Sequence, residues 1–221
     1  MYMKRLYTIN TINNYDDLIY RPFVAPFALA NPDIEIHNLM DDSLLKDTRA
    51  TGMTPAIASR MLSYAKAAEV SGAAGVIVTC TSVNRATNMI RPLLSIPIIN
   101  IEEPVAEMVV QAGSRIGVLA TLPSSPGCMS AAIRDKALEQ DKQVDILEVV
   151  VEGAFDILCE GDRERHDQMV RDALSALAKK VDAIAFAQIS MSLLPHEDVG
   201  VPIFKIGESG LERIKMLMDQ R

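Results

Sequence analysis

The chain has no tryptophan, and aromatic residues make up only 5% of its 221 positions. Its 12 methionines read as flexible core filler, with some use at interfaces. Cysteine is scarce: Cys80, Cys128 and Cys159 are irregularly spaced and form no CxxC pair. That pattern excludes a disulfide framework and a structural zinc site, so no metal is expected and a reducing cytoplasm fits best. No apolar run approaches the ~18–20 residues that span a bilayer, so no membrane partner is expected. The first 14 residues have a broken apolar stretch and no small-residue cleavage site, so no secretory leader is read there. Basic surplus is missing too. The formal charge is −7 with no Lys/Arg cluster, which argues against nucleic acid. Small anions remain accessible to an acidic chain, through backbone amides and helix N-termini.

What is present is an ordinary globular balance, 49% apolar and 23% charged, enough for one large domain or two small ones. Val- and Ile-rich runs mark strands over 5–10, 34–38, 75–79, 96–99, 115–120, 144–150, 183–187 and 202–206. Most show no alternation, as expected of parallel strands covered on both faces. Helical patterns fill the intervals, clearest over 54–71, 104–112 and 162–180. The first opens on Thr54-Pro55, an N-cap followed by proline. The last carries Met169, Val170, Ala173, Leu174 and Leu177 as a core-facing stripe. The fold class is therefore α/β with parallel sheets.

The chain also repeats itself. The segments at 4–8, 75–82 and 96–102 return in the same order at 114–118, 183–190 and 201–207, at offsets of 105 to 110 residues. This predicts two pseudo-symmetric Rossmann-like βαβ lobes, residues 1–110 and 111–221, each with a four-stranded parallel sheet. Matching strand ends would then meet across a shared cleft, the expected site.

Ligands of parallel α/β folds sit beyond the carboxyl ends of strands. The polar residues there are Asn10 and Thr11, then Thr79 to Ser82, then Thr121 with Ser124 and Ser125, then Gln188 with Ser190. None is charged and most can hydrogen-bond, which suits a small carboxylate. Cys80 ends a strand before two hydroxyl residues, a position expected to lower a thiol pKa and to favour a base or nucleophile. The alternative is an inert core cysteine. Gln188 takes the equivalent place in the second half and can polarise a carbonyl, but it cannot shuttle protons as a thiol does. Two other features read as structural: His166 as a solvated surface side chain, and Glu102-Glu103 as a helix-start carboxylate pair.

These segments resemble a known family. GVIVTCTS at 75–82 looks like the segment that bears the first catalytic cysteine of the aspartate/glutamate/hydantoin racemase superfamily. RIGVLAT at 115–121, followed by Ser124-Ser125, resembles the start of that family's second lobe, and DAIAFAQISM at 182–191 the segment with its second cysteine. Residues 201–213 resemble its closing strand and helix, and Gly161-Asp162 with His166-Asp167 also looks family-like.

The resemblance implies a site between two lobes, no cofactor, and two cysteines that remove and return an α-proton. Here the first position is Cys80 and the second is Gln188. Arylmalonate decarboxylase, in the same superfamily, works with a single cysteine in the second lobe, and its carboxylate cradle resembles Thr81-Ser82. The expected activity is thus that of a cofactor-independent isomerase or racemase acting on a small carboxylic acid. Catalysis would fall to Cys80 and Gln188, and binding to Asn10, Thr81, Ser82, Thr121, Ser124, Ser125, Ile189 and Ser190. A decarboxylase or C–C lyase and a non-catalytic carboxylate-binding protein stay open as alternatives. The resemblance also allows a homo-oligomer.

Overall fold

A computed structural model describes residues 3–220. The chain forms two compact units, one running up to Glu102 and resuming from Gly207, the other Glu103–Ile206. The expected halves divided at 110. The difference lies in residues 103–110, which join the second unit, and the C-terminal segment, which returns to the first.

In the first unit, β1 (Lys4–Asn10), β2 (Ile34–Met40), β3 (Ala73–Val78) and β4 (Ile98–Asn100) form a parallel sheet of order β2-β1-β3-β4. A wide-turned helix over Asp16–Val24 runs into α1 (Ala25–Ala30). Then come α2 (Asp42–Thr51), α3 (Pro55–Val70), α4 (Asn84–Ile90) and, from the chain's end, α9 (Glu208–Asp219). Thr54 caps α3 as its sequence suggests, its hydroxyl accepting from Ile57 N at 3.3 Å ahead of Pro55. The strand expected from Ile96 starts at Ile98, because Pro97 has no N–H to give a ladder. Its carbonyl still accepts from Val76 N at 2.9 Å. Ile9, Val76, Val78, Met61, Ala65, Ala68, Ala86 and Ile90 form part of the core that joins the sheet to α3 and α4.

In the second unit, β5 (Arg115–Ala120), β6 (Asp145–Val150), β7 (Ala183–Phe186) and β8 (Ile203–Phe204) form a second parallel sheet of order β6-β5-β7-β8. Its strands follow one another across the sheet as those of the first do, in line with the internal repeat. Its helices are α5 (Glu103–Ala112), α6 (Pro126–Glu139), α7 (Ala154–Cys159) and α8 (Arg163–Ala178). Pro202 repeats the role of Pro97, accepting from Ile184 N at 2.9 Å.

Two glycines allow close helix-to-strand approaches. A Cβ on Gly75 of β3 would lie 2.9 Å from Met218 Cγ of α9. The missing side chain is what lets the C-terminal helix settle on the first sheet. A Cβ on Gly117 of β5 would lie 2.9 Å from Leu177 Cγ and Cδ2 of α8. Leu177 is itself core, only 2% exposed, so it has little room to move. Gly117→Val is expected to cost ~1–3 kcal/mol by overpacking, read as a lower urea midpoint with an unchanged slope.

Candidate functional site

In the first unit the polar residues that follow the strands are buried. Asn10 is fully buried at the end of β1. Its Nδ2 donates to Thr8 Oγ1 at 2.9 Å and to Asn38 Oδ1, and its Oδ1 accepts from Thr79 Oγ1. The amide expected to contact substrate thus ties together the carboxyl ends of β1, β2 and β3. Its buried polar atoms need partners, and the neighbouring strands supply them.

Cys80 continues β3 in extended conformation, with φ −122° and ψ 108°. It caps a one-turn helix, Thr81–Val83, that leads into α4. Thr81 and Ser82 are each 5% exposed, whereas Cys80 is of intermediate exposure and packs against the first unit's core. The thiol pKa is raised, not lowered. Burial is the largest cause, since it penalises the thiolate. The Thr11 hydroxyl and the backbone N–H groups of Ser82 and Val83 pull the other way, and the Glu102 carboxylate adds to the rise. The helix-start donors foreseen from sequence are present. Desolvation outweighs them.

Glu102, expected as half of a helix-start carboxylate pair, precedes α5 and is 0% exposed. The pairing of β3 with β4 explains why. Val78 pairs with Asn100, and Ile101 N donates to Val78 O at 3.0 Å. Carried two residues beyond that pair, the register would bring Glu102 level with Cys80, and the Glu102 charge acts on the Cys80 thiol. The signal in the sequence was its position just past a strand end beside the cysteine strand.

The second unit repeats the local design with different chemistry. Gln188 follows β7 in extended conformation, with φ −142° and ψ 141°, and caps a one-turn helix, Ile189–Met191. It is 6% exposed. Its Oε1 accepts from Thr121 N at 2.7 Å, Leu122 N at 3.0 Å and Thr121 Oγ1 at 3.2 Å. The side-chain carbonyl therefore holds the turn after β5 in place. Thr121, Ser125, Ile189 and Ser190 are buried around it, and Ser124 is partly exposed. Ser125 precedes α6 and accepts from Met129 N through its backbone carbonyl at 3.1 Å.

His166 corrects the expectation of a surface side chain. It is 0% exposed, with Nδ1 2.7 Å from Asp167 Oδ1. Its place is set by helical spacing, since His166, Val170, Leu174 and Leu177 share one buried stripe of α8. Reading that stripe one turn further back would have found it. Asp162 caps the same helix, accepting from Arg165 N at 3.1 Å. Cys128 is of intermediate exposure, and Cys159 is exposed. Among the described residues, no group of three His, Cys, Asp or Glu side chains could hold a metal ion. No helix among them is long and apolar enough to cross a membrane.

Two outcomes are expected. With iodoacetamide near pH 8, Cys159 labels well ahead of Cys80, as resolved by peptide mass spectrometry. Burial and the nearby carboxylate keep the Cys80 thiol protonated. Equal rates would contradict the raised pKa. Gln188→Leu strands the buried Thr121 and Leu122 N–H groups and is expected to destabilise the protein by about 1–3 kcal/mol, measured by chemical denaturation.

Solved structures share this fold at low sequence identity. An allantoin racemase from Klebsiella pneumoniae is 16% identical over 98% of this chain and 88% of its own, with a TM-score of 0.70. A glutamate racemase isoform from Bacillus anthracis is 14% identical over 100% and 83%, with a TM-score of 0.74. A Gly74Cys mutant of arylmalonate decarboxylase is 14% identical over 97% and 93%, with a TM-score of 0.62. No curated protein matches the chain by sequence. The model of the Asp/Glu/Hydantoin racemase family matches residues 28–214, most of the chain, and the protein belongs to that family.

Proposed function

We propose that the protein is a cofactor-independent racemase or isomerase of a small carboxylic acid, and that Cys80 moves the α-proton. The observation that carries this reading is local. Cys80, a residue of intermediate exposure, follows the end of β3 and leads at once into buried Thr81 and Ser82 in a one-turn helix. Hydroxyl and amide donors beside a thiol suit a carboxylate whose charge grows as the α-proton leaves. They stabilise the enediolate more than the ground state. The thiolate is the base. In the second unit Thr121, Ser124, Ser125, Ile189 and Ser190 are the corresponding candidates for substrate contacts. The Gln188 amide orders its turn and cannot carry a proton, so a water it positions supplies the proton on the face away from the thiol.

A second reading has specific support. Gln188, where the family resemblance leads one to expect another thiol, has its carbonyl engaged by three donors. A single thiol suffices to protonate the carbanion left when CO₂ departs. Arylmalonate decarboxylase is among the proteins of similar fold. A decarboxylase therefore keeps the same site and changes the bond that breaks.

Incubation with candidate acids in D₂O, followed by NMR and chiral chromatography, separates the readings. α-Deuteration with inversion supports the racemase, CO₂ release the lyase, and binding without turnover a sensor. Cys80→Ala is expected to lower either reaction by about 10²–10⁴-fold while the circular dichroism spectrum is retained. Full activity in Cys80→Ala would remove the thiol from the mechanism.

A further inference from the structure

We propose that Glu102 is the proton partner of Cys80, taking the thiol proton before the sulfur acts as a base and returning it when the cycle closes. The inference rests on the reading of Cys80 as the group that moves the α-proton. Three observations carry it. Glu102 is fully buried, although carboxylates are rarely so. The β3–β4 register is held as far as Ile101 N to Val78 O, and its continuation two residues beyond the Val78–Asn100 pair brings Glu102 level with Cys80, whose thiol feels the Glu102 charge. Around the sulfur stand Thr11 and the backbone N–H groups of Ser82 and Val83, all neutral donors, so Glu102 is the group of opposite proton affinity in this set.

The chemistry follows from charge. A desolvated thiol is a weak base near neutral pH because its anion is costly to form in a poor dielectric. Passing its proton to an adjacent carboxylate leaves one negative charge on the pair before and after. No new charge is buried. The S–H bond breaks and an O–H bond forms on Glu102. The sulfur lone pair then takes the α-proton, and the Cα–H electron pair moves into the substrate carboxylate as an enediolate. Return of a proton from sulfur to Cα, then from Glu102 to sulfur, restores the start. In D₂O, exchange of the sulfur-bound proton for deuterium before that return writes deuterium at Cα.

The test uses the full chain and Glu102→Gln, with two readouts. The first is the pH profile of Cys80 alkylation by iodoacetamide, resolved by peptide mass spectrometry. Loss of the neighbouring charge is expected to move this profile to lower pH, so Cys80 labels faster near pH 8. The second is α-deuteration of whichever acid the wild type exchanges, expected to fall about 10²-fold. A merely structural role would not make the thiol easier to ionise and worse at exchange. Glu102→Asp, which keeps the charge, is expected to hold the alkylation profile near wild type and to recover part of the exchange. It serves alone if Glu102→Gln does not fold, with exchange below wild type as the expected result.

An unmoved alkylation profile in Glu102→Gln, or undiminished exchange in either variant, overturns the pairing. If the wild type exchanges no acid but the profile shifts, the pairing stands and the proposed reaction falls.

Discussion

Polar groups buried at the carboxyl ends of parallel strands must be satisfied, and most of what distinguishes this protein follows from how that is done. At or just past the strand ends, Asn10, Thr79, Thr121 and Gln188 are buried. Backbone amides and side chains there lose hydration and need partners. Asn10 meets the requirement in the first unit by joining three strands. Gln188 meets it in the second by accepting from Thr121 and Leu122. The same exclusion of water raises the Cys80 thiol pKa despite the donors around it. One constraint accounts for the hydrogen bonds that link the strand ends and for the reluctance of the thiol to ionise.

The internal repeat gives this constraint two solutions. Each sheet has the same strand order, and in each an extended polar residue leads from the third strand into a one-turn helix. The backbone template is shared, but the side chain at its tip is a thiol in one case and an amide in the other. A thiol can exchange a proton, whereas an amide can only hydrogen-bond. The repeat therefore preserves backbone geometry while changing the chemistry of the side chain at its tip.

Much of this was legible in the residues. Unalternating Val/Ile runs announced parallel strands, and β5 appears over Arg115–Ala120 as read. Thr54-Pro55 announced the start of α3. The family resemblance rested on motifs that span both units, and the family match covers 28–214. Other features were illegible for identifiable reasons. α4 and α7 are short, and α7 lacks a side-chain cap, so neither carries a strong period. His166 looked polar in a polar stretch, and its burial depends on a stripe whose other members lie four, eight and eleven residues on. Glu102 looked like a helix-start charge because nothing local says that β4 brings it beside Cys80.

By itself the sequence determined the class of fold, the duplication and the list of polar residues that follow strands, because these depend on periodicity and on order along the chain. Only the tertiary structure decided which of those residues are committed to neighbours and which thiol is desolvated. It also decided that α9 belongs with the first sheet. Those outcomes depend on strand register and on contacts between segments far apart in the chain, such as Gly75 with Met218 or Gln188 with Thr121. Burial is a property of the packed whole, and no window of sequence contains it.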